Sequence, residues 1–220
     1  MRGNRLQMAQ LTPQARRALE EQERARTSAV APPHEALRCS QDAAALLLLW
    51  RVPASAAEAA LLAPLLHTGW IDAHAAAETY TPEALALARR LIDWHASGPQ
   101  AEEPSSEAVS AQHSVRLRQL LREIYVSWPD VLFTLLLMAD HHARLSTPLP
   151  ISRGLALETK EVFIPLSEML GMWSLRRVWT DKSAGVLSPG AYREMETIWL
   201  PKRVREKASA FTELQKYIKE

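Results

Sequence analysis

Two runs of apolar residues constrain the fold of this chain most strongly. Residues 43–50 and 131–139 consist almost wholly of alanine, leucine and a few larger apolar side chains. Both fall well short of the ~20 residues that a membrane-spanning helix needs, so they predict helices of a protein core. Glycine is scarce, at 7 of 220 residues, and runs of β-branched residues are almost absent. The sequence therefore predicts an all-α fold.

Capping signals place further helices. Thr12-Pro13 and Thr81-Pro82 each put a capping hydroxyl before a proline at the first helical position, and they predict helices that run to about residues 26 and 94. Other predicted helices cover residues 40–51, 56–67, 114–127, 130–142, two stretches between 152 and 182, and 191–219.

The predicted domain organisation has three parts. Residues 1–33 form an N-terminal helix and linker, and the strongly charged sequence of this helix predicts a peripheral or loosely attached element. Residues 34–190 form the main helical domain, with a break at Gly171. Residues 191–220 form a long, charged C-terminal helix, in which Pro201 is the candidate kink.

Charge and cysteine content limit the environment and partners. The net charge of +1 gives no electrostatic reason to expect nucleic acid as a partner. The single cysteine, Cys39, has no second cysteine to pair with, and the N-terminus is polar. We therefore expect a protein of the reducing cytoplasm with no secretory leader and no membrane partner.

The apolar helices end in residues that bind metals. The run that starts at residue 131 ends in Asp140, His141 and His142, and the helix over residues 56–66 ends at His67. Buried helices that deliver His and Asp side chains to one point can hold a divalent metal ion. Residue 68, however, is a threonine, where such a site would require an aspartate.

Three motifs near the C-terminus resemble a known family. They read A-x-E-T at 156–159, IPLSxMLGMW at 164–173 and LSPxAY at 187–192. In this order they resemble the N-terminal region of the RelA/SpoT homologues, which make and hydrolyse the alarmone (p)ppGpp. Met-Ala-Asp at 138–140 and Leu-Leu-His at 65–67 are similar to two upstream motifs of the same family. The resemblance extends from about residue 38 to the end of the chain.

The resemblance implies an HD-type hydrolase domain, which is an all-α helical bundle. In the family, a manganese ion held by His, a His-Asp pair and a distant Asp activates the water that removes the 3′-pyrophosphate. Such an ion lowers the pKa of its bound water. A neighbouring Glu-Asp pair assists the attack.

Only part of the family's metal set is present at the matching positions. His67 matches the histidine of the His-Asp pair, and Asp140 matches the distant aspartate, so these two are the candidate metal ligands. Thr68 replaces the paired aspartate, and the first histidine has no counterpart near the start of the helix that contains residues 43–50. His34 lies nearby, but in a segment that its flanking prolines predict to be a linker.

The positions that assist catalysis and hold the base are changed as well. The family's Glu-Asp pair falls at Ile71-Asp72, which leaves Asp72 as the catalytic candidate. The motif whose asparagine helps to hold guanine reads Asp-His-His-Ala-Arg at 140–144, so Arg144 is the candidate residue for nucleotide binding. The basic, glycine-containing loop of the family is shortened to residues 37–40.

Three functional hypotheses follow. The first is a degenerate, inactive hydrolase-like domain that regulates alarmone metabolism and needs no cofactor. The alternative is an active Mn²⁺-dependent (p)ppGpp pyrophosphohydrolase with a rewired site around His67, Asp72 and Asp140, and the third is a helical binding protein that kept only the nucleotide pocket. Substitute ligands for a rewired site are Asp42, His74, His141 and His142. Candidate partners are a guanine nucleotide such as (p)ppGpp, another protein and a second copy of the chain.

Overall fold

The computed structural model describes residues 11–26, 32–97, 106–124 and 126–199, with the backbone alone at 106–110, 123, 196 and 199. All regular structure in these ranges is helical, which confirms the predicted all-α fold. In chain order the helices are α1 (Pro13–Ala25), α2 (His34–Leu49), α3 (Ala54–His67), α4 (Ala73–Thr79), α5 (Pro82–Ala96), α6 (Ser106–Ile124), α7 (Trp128–Leu145), α8 (Arg153–Glu158), α9 (Ile164–Met169), α10 (Trp173–Leu187) and α11 (Pro189–Glu194). A π-helical turn, Thr159–Phe163, joins α8 to α9, and a second, Met195–Trp199, follows α11.

Helix α3 lies at the centre of the first half of the fold. It is apolar on all sides and buries nine of its residues, most of them alanine and leucine. Helices α1, α2, α5 and α7 all pack against it. Small alanine side chains let neighbouring helices approach closely, and a helix without a polar face has to be surrounded in this way.

Helix α1 belongs to this core, which corrects the prediction of a peripheral element. Ala15 and Ala18 are buried in the main hydrophobic cluster. Gln22 is fully buried and donates hydrogen bonds to Ser40 Oγ at 2.9 Å and to the Leu61 carbonyl oxygen at 2.6 Å. The buried residues of α1 recur every three to four positions and so form one side of the helix. The charged residues that suggested a loose helix cover only the opposite, outer side.

Helix α7 connects the two halves of the fold. It contacts α2, α3 and α5 on one side, and α6 and α10 on the other. The second half is built from α6, α8, α9, α10 and the π-helical turn, which surround the buried side chains of Phe163 and Trp179. Gly171, with a φ of +68°, ends α9 at the predicted break.

The helix boundaries test the capping signals. The hydroxyl oxygens of Thr12 and Thr81 accept hydrogen bonds from the backbone N–H groups three residues on, as predicted. Helix α2 begins at His34 rather than at residue 40, so His34 is helical and not part of a linker. Helix α6 begins at Ser106, eight residues before the predicted start, and α4 was not predicted.

The C-terminal helix can be compared only in part. Residues 189–199 are helical, but most of the predicted helix over 191–219, including Pro201, lies outside the described residues. Within the described ranges, no helix combines the length and the apolar character needed to cross a membrane.

Candidate functional site

A cavity of about 540 Å³ lies between α2, α3, α5 and α7 and is bordered by residues 147–152 and the start of α8. Its walls are mainly apolar and include Ala60, Pro64, Leu91, Ile92, Leu149 and Leu155. A cavity of this size, with apolar walls and a few polar groups, is typical of a small-molecule binding site.

Three of the four predicted site residues line this cavity. His67 is the last residue of α3, and Asp140 and Arg144 lie one turn apart on α7. Because i and i+4 residues share a helix face, α7 presents a carboxylate and a guanidinium to the same space. The structure therefore brings His67 of α3 to the same cavity as Asp140 and Arg144 of α7, which follow it by more than 70 residues in the sequence.

Asp140 is paired with His95, a residue that the sequence analysis did not identify. Asp140 Oδ2 lies 3.0 Å from His95 Nε2. Burial by itself raises the pKa of Asp140, but the charge and hydrogen bond of His95 and the charge of Arg144 hold this pKa below its ordinary value. Asp140 is thus a carboxylate acceptor whose direct partner is a histidine.

Asp72 lies outside the cavity lining and has a structural role. Its carboxylate caps α4 by accepting hydrogen bonds from the backbone N–H groups of His74 at 2.8 Å and Ala75 at 3.4 Å. These bonds lower the pKa of Asp72, which is exposed. The His74 side chain is 89% exposed and lies beside Glu78. The structure does not bring Asp72 together with His67, Asp140 and Arg144.

Thr68 stands where the resemblance implies a metal-binding aspartate. Its hydroxyl donates to the Pro64 carbonyl oxygen at 3.0 Å, so its one hydrogen is used within α3. Among the residues that the structure describes, no group of three or more His, Cys, Asp or Glu side chains is arranged to hold a metal ion.

The two histidines after Asp140 point away from the cavity. Neither lines it, and His141 is buried against the π-helical turn, with its ring stacked on Phe163 at a centroid distance of 3.6 Å. His141 Nε2 lies 3.0 Å from Thr159 Oγ1, whose hydroxyl donates to the Leu155 carbonyl oxygen. Because a hydroxyl has one hydrogen, His141 Nε2 must be the donor to Thr159.

Buried His141 predicts acid sensitivity of the fold. Burial, and after it the charges of Arg144, His142 and His95, keep the pKa of His141 well below the ordinary value of 6.5. As the pH falls through 6.5, the unfolded chain therefore takes up a proton that the folded chain does not. We expect the free energy of unfolding to decrease by up to about 1.4 kcal/mol per pH unit for this group below that pH.

Urea denaturation at pH 7.5, 6.5 and 5.5 measures this effect. His141→Gln retains a donor for Thr159 but does not titrate, so its stability should depend less steeply on pH than that of the wild type. Burial and the charge of Lys182 also lower the pKa of His142. This residue therefore contributes to the pH dependence of stability in both proteins. If stability depends equally on pH in the two proteins, His141 is not the residue that takes up a proton on unfolding.

Cys39 lines the cavity but is not an activated nucleophile. It is buried, and burial, Asp140 and Glu35 raise the pKa of its thiol to about 11. A thiol with this pKa is protonated near neutral pH and reacts poorly. Residues 37–40, where the resemblance implies a shortened basic loop, belong to α2, and Cys39 and Ser40 line the cavity.

His95 was missed because its role depends on a contact across the fold. Its partner, Asp140, is on a different helix, and no local motif joins the two positions. One signal was present: His95 continues the buried stripe of α5 formed by Ala84, Ala88 and Leu91. A polar residue on a buried helix face usually has a buried partner or borders a cavity.

Comparison of the chain with protein-family models, with curated proteins and with solved structures gives no match.

Proposed function

We propose that this chain is a degenerate HD-type domain of the RelA/SpoT kind, which binds a guanine nucleotide such as (p)ppGpp without hydrolysing it and acts as a regulatory module. The observation that carries the proposal is the convergence of His67, Asp140 and Arg144 on one cavity. The resemblance to the family selects the same three positions from sequence motifs.

The shape and polarity of the cavity suit a nucleotide. The apolar walls contributed by α3 and α5 can cover a base and a sugar, and Arg144, His67 and His95 supply groups that can contact phosphate oxygens. Glu35 and Asp140 are the acidic residues of the lining. Of these, Asp140 is already paired with His95.

The same geometry favours binding over hydrolysis. A metal-dependent hydrolase must hold an ion through several ligands and leave a position open for water. Here Thr68 offers a neutral hydroxyl where a carboxylate would be needed, and Asp72 caps α4 away from the cavity. His141, one of the substitute ligands for a rewired site, is bonded to Thr159.

Thermal denaturation with and without ppGpp, in buffer containing EDTA, tests the proposal. A ligand present at 100 times its Kd stabilises the folded state by about 2.7 kcal/mol, so we expect a clear rise in Tm for the wild type. Arg144→Ala should remove most of this rise. The matched control is Arg89→Ala, at an exposed position on α5 outside the cavity lining.

A turnover assay separates the proposal from the active-enzyme alternative. Wild-type protein incubated with ppGpp and Mn²⁺ should release no pyrophosphate above the level of a protein-free blank. Turnover that Asp72→Asn abolishes would overturn the proposal in favour of a rewired hydrolase. If ppGpp does not change the Tm, the protein does not bind this nucleotide, and the cavity is not its binding site.

A further inference from the structure

We propose that His95 is a ligand-binding residue of this cavity and that Asp140 serves to position it. The inference rests on the proposed nucleotide-binding function and deepens it, because it assigns a second polar contact to the bound ligand. It also gives Asp140 a role that needs no metal ion.

The contact between the two residues is direct and asymmetric in exposure. His95 Nε2 and Asp140 Oδ2 are 3.0 Å apart, and the side chain of His95 is 38% exposed whereas that of Asp140 is 11% exposed. Both line the cavity. The histidine is therefore the outer member of the pair, open to a ligand, and the carboxylate lies behind it.

Asp140 fixes the orientation of the imidazole ring. A carboxylate only accepts hydrogen bonds, so the hydrogen between the two residues belongs to His95 Nε2. This bond defines the ring plane and leaves the other edge of the ring for further contacts. The same arrangement, in which a carboxylate holds a histidine for another task, is common in binding and catalytic sites.

The backbone that carries His95 is fixed as well. Arg116 of α6 donates to the carbonyl oxygen of Trp94 at 2.6 Å, and its guanidinium carbon lies 3.7 Å from the centroid of the Trp94 ring. Arg116 also forms an ion pair with Glu158 at 2.8 Å. The last turn of α5 is thereby tied to the second half of the fold, one residue before His95.

A ring whose orientation is set by Asp140 and whose backbone is held at the preceding residue loses little conformational freedom when a ligand binds. Binding groups with this property contribute more to affinity than mobile ones, because less side-chain entropy is lost. Arg144, which follows Asp140 by one turn, supplies a second polar group on the same helix face. We therefore expect His95 and Arg144 to contact the polar part of a bound nucleotide.

The test is the affinity for GDP, measured by isothermal titration calorimetry of the full chain in EDTA. His95→Ala should raise Kd by about tenfold, as expected for the loss of one good polar contact. Asp140→Ala should raise it as well, but Asp140→Ala added to His95→Ala should have no further effect, since Asp140 acts through the histidine. His74→Ala, at an exposed histidine outside the lining, is the matched control and should bind as the wild type does.

Two further measurements separate positioning from a merely structural role of Asp140. Asp140→Asn keeps an acceptor oxygen and should recover much of the affinity that Asp140→Ala loses. The ¹⁵N spectrum of His95 should show that Nε2 carries the hydrogen in the wild type. In Asp140→Ala, Nε2 should no longer be favoured over Nδ1. Titrations with guanosine and with inorganic pyrophosphate then identify the part of the nucleotide whose binding depends on His95.

The outcomes distinguish this inference from the proposed function. If wild-type protein binds GDP and folded His95→Ala binds it equally well, the inference is wrong and the proposed function stands. An unchanged Nε2 signal in Asp140→Ala would overturn the positioning role of Asp140. If wild-type protein binds neither GDP nor ppGpp, the proposed function fails, and the inference fails with it.

Discussion

Replacement of Arg116 by alanine is expected to lower the free energy of unfolding by about 3–5 kcal/mol, because it leaves a buried carboxylate without its partner. Arg116 and Glu158 are 7% and 8% exposed, and their side chains form a 2.8 Å ion pair between α6 and α8. Arg116→Ala also removes the hydrogen bond to the Trp94 carbonyl oxygen and the contact with the Trp94 ring. Urea denaturation monitored by circular dichroism measures the loss.

Two further variants make this prediction specific. Arg118→Ala changes the same residue type on the same helix at an exposed position, and should cost less than about 0.5 kcal/mol. The double replacement of Arg116 by Met and Glu158 by Leu should recover part of the lost stability, because it removes both charges from the interior. A cost below about 1 kcal/mol for Arg116→Ala would contradict a buried, mutually dependent pair.

Trp179→Ala is expected to destabilise the protein to a similar degree, by about 3–5 kcal/mol. Trp179 is fully buried and packs edge-on against Phe163, at a centroid distance of 5.8 Å, and against His141, at 5.5 Å. It therefore fills the space between α10, α7 and the π-helical turn, and its removal leaves a cavity that rigid neighbouring helices cannot close. The loss approaches the whole stability of many small proteins.

The matched control for this variant is Trp173→Ala. Trp173 lies on the same helix, α10, but is 63% exposed. Its replacement should change the free energy of unfolding by less than about 1 kcal/mol. Equal effects of the two tryptophan variants in urea denaturation would show that the second half of the fold does not depend on the packing around Trp179.

Local signals in the sequence predicted much of the helical framework. The apolar run at residues 43–50 lies in α2 and its C-cap, the run at 131–139 lies in α7, and Thr12 and Thr81 cap the helices that they were expected to cap. These features were predictable because apolar periodicity and capping act over one or two helical turns.

The errors in the framework arose where local signals compete. The prolines before His34 predict a linker there, but a proline also fits directly before a helix, and α2 begins at His34. Asp72, the catalytic candidate from the family resemblance, also has a local structural role, since its side chain caps α4. The charges of α1 masked the short stripe formed by Ala15, Ala18 and Gln22, which is buried.

The site was predictable only in part, for a physical reason. The positions of His67, Asp140 and Arg144 came from motifs, and the structure places all three around one cavity. The partner of Asp140 could not be read from a motif, because His95 reaches it only after α5 and α7 have packed in the fold. Pairing between distant residues depends on tertiary geometry, which a local pattern does not encode.

The most direct measurement of the central claim is a calorimetric titration of the full chain with ppGpp, first in EDTA and then in Mn²⁺. His67, His95 and Arg144 line the cavity, and we propose that these side chains, rather than a metal ion, contact the polar part of the ligand. Our account therefore predicts saturable binding in EDTA, with a Kd that Mn²⁺ changes by no more than about twofold. Binding that occurs only in the presence of Mn²⁺, or no saturable binding under either condition, would contradict it.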